Sequence, residues 1–220
     1  MSPIIITTKA SFMDQSAENI SRNVLYPVFL KLDKFDILIV GGGDAGAEKM
    51  RYIMKSSPNA RVTLVAPEFI EEVAEIAGRH EQVIVHKRNF EEGDLNGKKL
   101  VIVATDDHEL NKEIRELAVA RNILTNVADT PDLCDFYLGS IVTKGDLKVA
   151  ISTNGKSPTF AKRFRMLLED ILPENITETL DRLKTIRDSL KGDFQHKIDV
   201  LNQITSNLIE KNDKNGDTGS

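Results

Sequence analysis

Phe35-Asp36-Ile37-Leu38-Ile39-Val40, followed at once by Gly41-Gly42-Gly43-Asp44-Ala45-Gly46, is the stretch that decides the fold. The first six residues are a short β-rich apolar run of the kind that forms a buried parallel strand. The next six fit G-x-G-x-x-G, a pattern that is informative only between a strand and a helix. A helix does follow by pattern, with Ala47, Met50, Ile53 and Met54 on one face. In that setting Gly41 allows the tight turn, Gly43 lets the backbone approach a pyrophosphate, and Gly46 lets the helix pack close on the strand. The free N–H groups of the helix start then face the phosphates. The competing reading is a Gly-rich turn without a ligand.

Working outward, Ser56-Ser57-Pro58-Asn59 ends that helix, and Arg61–Val65, Gln82–His86, Lys99–Ala104 and Ile123–Val127 read as further strands. Helices are expected over Phe69–Gly78, with Gly78 as the stop, and over Asp107–Arg121. Strands alternating with helices imply a parallel sheet covered on both faces. From Phe136 the pattern changes. Gly139–Thr143 and Leu147–Ile151 flank Lys144-Gly145-Asp146, a gap that predicts an antiparallel hairpin. After Pro158 the chain is helical by pattern, with Ile186, Leu190, Phe194, Ile198, Leu201, Ile204 and Leu208 spaced for amphipathic helices. The expected class is α/β: a Rossmann-type parallel sheet, then a β-hairpin region suited to dimerisation, then a small helical C-terminal domain. The boundaries read as a flexible extension over 1–22, the nucleotide-binding domain over 23–134, the hairpin region over 135–160, the helical domain over 161–210 and a disordered tail over 211–220.

The 29 Lys and Arg are outnumbered by 34 Asp and Glu, so no basic field draws nucleic acid or an anionic membrane. No apolar run approaches the roughly 18–20 residues of a membrane span. Pro3-Ile4-Ile5-Ile6 is too short for a signal-peptide core. Cys134 stands alone, which rules out an internal disulfide and fits a reducing, cytoplasmic setting. It reads as a packed thiol, and no His/Cys cluster has metal-ligand spacing.

Glu68 lies 22 residues after Gly46, just past the second strand, where this fold places an acid against the ribose hydroxyls. It reads equally well as a solvated loop residue. Pro67 beside it supplies shape. No arginine stands at that strand end to hold a 2′-phosphate, so NAD is favoured over NADP. Thr105, after the fourth strand, is placed to lie over the cofactor, whereas Asp106 or Asp107 suits a helix N-cap and His108 a surface turn. Asp129 follows the fifth strand at its carboxyl end, where open α/β sheets bind ligands. It reads as a general base or as a cap on the turn at Thr130-Pro131. Ser157 is an expected N-cap and Pro158 an expected N1. Lys156, Lys162, Arg163 and Arg165 cluster there, either as an anion site or as a solvated face.

Taken together, Tyr26–Leu30, Gly41–Lys49, Ala104–Asp107, Asn126-Val127-Ala128-Asp129 and Ser152–Pro158 resemble the precorrin-2 dehydrogenase / sirohydrochlorin ferrochelatase family, the sirohaem-synthase N-terminal module. The resemblance runs from about Tyr26 to Leu168. It implies NAD-dependent oxidation of precorrin-2 to sirohydrochlorin, and in many members ferrous-ion insertion to give sirohaem. It implies a homodimer joined through the hairpin and first tail helix. No methyltransferase module is expected, since the sequence stops after the helical tail. The family's catalytic aspartate corresponds to Asp129. Its dinucleotide contacts correspond to the loop Gly41–Gly46, including Asp44 and Ala45, and to Pro67-Glu68. Its polycarboxylate substrate is expected against Asn126, Thr153, Lys156, Ser157 and Arg163. Some relatives carry serine where this chain has Thr153. A non-catalytic NAD-binding regulatory domain and a dehydrogenase for another small metabolite are the competing functions. A regulatory sensor has no need of a base and a basic clamp between Asn126 and Ser157.

Overall fold

The computed structural model describes residues 23–192 and 194–205. The expected extension over 1–22, the tail over 211–220 and Leu208 lie outside the described residues. Residues 23–30 form a unit of their own, exposed and without helix or strand.

From residue 31 onward the elements are β1 (Asp36–Val40), α1 (Asp44–Ser56), β2 (Arg61–Ala66), α2 (Glu71–Arg79), β3 (Val83–Lys87), β4 (Leu100–Val103), α3 (His108–Ala120), β5 (Leu124–Val127), β6 (Ser140–Lys144), β7 (Leu147–Ile151), α4 (Pro158–Ile171), α5 (Ile176–Ser189) and α6 (Phe194–Thr205). The first five strands form one parallel sheet in the order β3-β2-β1-β4-β5. Strand alternation sends Ile37 and Ile39 to one face, where they meet Met50, Ile53 and Met54 of α1 and Val73 and Ile76 of α2. Leu38 and Val40 go to the other face with Ile114 and Ala118 of α3. Both faces of β1 are thus buried, which is why its sequence is an unbroken apolar run.

The order reverses between β1 and β4, so the two chain crossovers diverge there and leave a crevice at the carboxyl edge. Register pairs Val40 with both Val65 and Val103, and Val103 with Val127, so the strand ends that carry the expected site lie along one edge.

Gly78 does not stop α2. The helix continues to Arg79 and closes on His80, whose N–H donates to Ala77 O at 3.3 Å in extended backbone, so no left-handed residue is needed. The hairpin forms as expected from antiparallel β6 and β7. It packs Val142 and Ile151 against Ala161, Leu168 and Leu172 around α4. Lys144 Nζ donates to Leu172 O and pairs with Glu174, each at 2.6 Å. Lys148 Nζ bonds to Ser56 O at the carboxyl end of α1. The apolar series from Ile186 to Ile204 is divided between α5 and α6, neither of which buries a residue fully.

Candidate functional site

The glycine loop divides by what the protein itself requires. Gly41 has φ +116° and passes so close to Ala104 that a Cβ would collide with its carbonyl. A Cβ on Gly46 would meet the Gly41 carbonyl, and one on Gly42 the Glu68 carbonyl and the Phe69 Cβ. Gly43 is different: nothing lies within 4 Å of where its Cβ would be. It is the N-cap of α1, in extended backbone, with no side chain capping the helix. An uncapped helix start facing open space, on a residue whose missing side chain the packing does not explain, fits a dinucleotide pyrophosphate. Asp44 is exposed and Ala45 half-buried in the first turn beside it.

The turn after β2 is fixed to this loop, because Ile70 N–H donates to Gly42 O at 3.0 Å. Pro67 and Glu68 are exposed there. The Glu68 carboxylate pairs with Lys87 Nζ at 2.8 Å. Lys87 comes from the next strand, so the cation absent from β2's own end is supplied by β3.

After β4, Thr105 Oγ1 donates to Asn111 Oδ1 at 2.5 Å and accepts from Asp107 N–H at 3.2 Å. Asp107 caps α3, its Oδ1 accepting from Glu109 and Leu110 N–H at 3.0 Å each. Thr105 therefore sits at the crevice with its hydroxyl hydrogen committed to the start of α3.

The segment after β5 is pinned at several points. Asn126 is buried, and its amide donates to Phe136 O at 2.8 Å. The Cys134 thiol accepts from Val127 N–H at 3.3 Å and donates to Val127 O at 3.2 Å. Burial pushes that thiol's pKa up, which keeps it an un-ionised packing group. Asp135 accepts from Arg115, through two nitrogens, and from Thr125 N–H at 2.9 Å. The Arg115 guanidinium beside it holds its carboxyl below the usual range. Between these anchors Asp129 stands exposed at φ +55°. Its side chain has no hydrogen-bond or ion-pair partner among the described residues. Thr130 N–H donates to Val127 O at 3.3 Å, closing a turn that holds Asp129 at its third position, and the Thr130 hydroxyl donates to Ala128 O at 3.2 Å. The Asp129 side chain therefore caps no backbone group among the described residues, and only its backbone takes part in the turn.

Thr153, Lys156 and Ser157 belong to the turn from β7 into α4, and Arg163 lies in the second turn of α4 itself. Ser157 caps α4, its Oγ accepting from Phe160 N–H at 3.2 Å, and Thr153 Oγ1 accepts from Ser157 N–H at 3.2 Å. Lys156, Lys162 and Arg163 are exposed, while Arg165 is engaged by Glu169 at 2.5 Å. No hydrogen bond or ion pair among the described residues joins this turn to the glycine loop or to Asp129. Sequence reasoning missed Lys87, Arg115 and Asp135, all of which act across strands or from a helix onto a loop. The spacing of charges along the chain gives no sign of such pairs.

Residues 28–140 match a family model described as "Putative NAD(P)-binding", and residues 144–171 match one described as sirohaem biosynthesis protein, central. A siroheme synthase of Pseudoalteromonas translucida is 37% identical over 173 residues, which is 79% of this chain and 36% of the relative. One of Thioalkalivibrio sulfidiphilus is 39% identical over 149 residues, 67% of this chain and 30% of the relative. The chain spans about a third of the length of these curated relatives. Among solved structures, SirC, precorrin-2 dehydrogenase, superposes with a TM-score of 0.67 at 26% identity, covering 82% of this chain and 89% of that one. With more than half of the chain matched by the first of these models, and the glycine loop built as such a site requires, the chain belongs to the family described as putative NAD(P)-binding.

Proposed function

We propose that this chain uses NAD to oxidise precorrin-2 to sirohydrochlorin, and that ferrous-ion insertion to give sirohaem is a second activity of the same site. The observation that carries the reading is Asp129: an exposed carboxylate without a polar partner among the described residues, held in left-handed backbone by a pinned segment, on the edge that bears the glycine loop. A non-glycine residue in that conformation costs about 1 kcal/mol or more, and such outliers gather at functional sites.

When bound, NAD supplies the hydride acceptor. Gly43 and the open end of α1 bind its pyrophosphate, and Glu68 accepts from its ribose hydroxyls. Asp129 lies two strands from the glycine loop, roughly 10 Å at the usual strand spacing. There it takes the proton that the tetrapyrrole loses with its hydride. In metal insertion it receives pyrrole N–H protons as ferrous iron, a substrate, enters. Asn126 positions this segment from beneath.

The substrate's carboxylates need cations. Lys156 in the turn before α4 and Arg163 on α4 provide them, with Thr153 and the Ser157 cap beside them. The hairpin carrying that turn is tied by Lys148 to the carboxyl end of α1, the end opposite the glycine loop. We assign the basic residues to the site of a second copy in a homodimer. The α4 face bearing Phe160, Phe164, Leu167 and Ile171, all exposed, supports that assembly. The free thiol of Cys134 supports a cytoplasmic setting.

The test is Asp129→Asn. It keeps the shape and removes the base, so NAD binding and melting temperature hold while precorrin-2 turnover falls by on the order of 10²–10⁴-fold. Near-normal turnover in the folded variant would move the base elsewhere. Normal iron insertion beside failed oxidation would mean that the two reactions do not share this group.

A further inference from the structure

Lys87 is the last residue of edge strand β3 and lies in register with Ala66, the last residue of β2. Its ammonium group is 2.8 Å from Glu68 Oε2 and 5.9 Å from the centre of the Phe69 ring. Neighbouring Arg88 is engaged elsewhere, its guanidinium donating to both Asp94 oxygens at 2.8 and 2.6 Å. Lys87 is thus the cation beside Glu68, and Glu68 is its ion partner. The turn that carries Glu68 is held to the glycine loop by the Ile70–Gly42 hydrogen bond and by the packing of Gly42 on Glu68 and Phe69. The carboxylate therefore has a backbone-fixed place relative to the phosphate end of the site, and Lys87 is held beside it by strand register.

The two groups have opposite preferences. A carboxylate accepts from a ribose diol and repels a phosphomonoester, whereas an ammonium group attracts the phosphate. The pair is open to water, with Lys87 59% and Glu68 82% exposed in their side chains, so its own bond is weak and the partners separate readily. We propose that the Glu68–Lys87 pair sets the nucleotide preference: Glu68 rejects a 2′-phosphate and masks Lys87, and Lys87, once unmasked, is a 2′-phosphate-binding residue. This rests on the dinucleotide reading of the glycine loop.

Titration of NAD and NADP into the wild type, Glu68→Ala, Lys87→Ala and the double variant tests it, with affinity read by calorimetry and by the shift in melting temperature. The wild type binds NAD more tightly than NADP. Glu68→Ala tightens NADP by about tenfold, the scale of one charge-assisted contact at an exposed site. Adding Lys87→Ala to it cancels that gain, and the gain shrinks with added salt. Unchanged NADP affinity in Glu68→Ala would overturn the proposal, as would a double variant that keeps the gain. Wild-type protein that binds neither dinucleotide would overturn the cofactor reading itself, and this proposal with it.

Discussion

Gly43 and Gly41 are two residues apart and respond oppositely to a side chain. At Gly43 the space is open and the backbone extended, so Gly43→Val folds with a melting temperature near that of the wild type. The valine stands where the pyrophosphate belongs, and the expected result in calorimetry is no detectable NAD binding. Unchanged NAD affinity in that folded variant would remove the phosphate role of this loop. At Gly41 a Cβ meets the Ala104 carbonyl and φ is +116°, so Gly41→Ala loses at least about 2 kcal/mol in denaturant unfolding. Of these two roles the pattern G-x-G-x-x-G announces both, whereas the tight packing at Gly42 falls on an unspecified position of the motif and is visible only once the β2–α2 turn lies against it.

Among the elements, the segment from Ala128 to Asp135 matters most, because it gives Asp129 its place. Asp135 is its strongest tie, with its carboxyl held low by Arg115. A carboxyl lowered in the folded state adds stability that is complete above the ordinary pKa of about 3.9 and disappears as pH falls through the lowered value. Asp135→Asn is expected to cost about 1–3 kcal/mol at neutral pH and to flatten the acid limb of the stability profile, followed by urea unfolding. A variant as stable as the wild type at pH 7 would show that the clamp holds nothing. The strands, α1, α3 and the start of α4 were legible from apolar period and caps, since Asp107 and Ser157 act locally. The end of α2 was not, because the glycine expected to stop it is accommodated inside the last turn. Asn126 was read toward substrate, but its amide is turned inward to Phe136 O, a partner ten residues away set by tertiary packing.

At the scale of the whole molecule, the parallel sheet with two covered faces followed from alternation of patterns, while the meeting of site parts did not. Asp129 and the glycine loop share an edge because strand order puts β4 beside β1 and β5 beside β4, all parallel. The basic residues Lys156, Lys162 and Arg163 lie beyond the hairpin, before and on α4, and a linear motif carries no information on which site they face. The proposed homodimer would bring them to the site of a second copy and would cover the α4 stripe, where Phe160 and Phe164 stack at 5.9 Å in the open. The protein is expected to sediment as a dimer at micromolar concentration. Leu167→Glu, on the exposed stripe and away from the buried contacts of Ala161, Leu168 and Leu172, is expected to give folded monomers with little turnover. Wild-type protein found only as monomer would contradict the assembly. An anaerobic assay of the full chain with precorrin-2 and NAD decides whether the protein is this dehydrogenase: NADH and sirohydrochlorin absorbance are read together, and ferrous iron is then added. The expected result is NADH and sirohydrochlorin in equal amounts, with sirohaem after iron is added; NAD binding without any turnover of precorrin-2 would contradict the account and leave a nucleotide-sensing domain in its place.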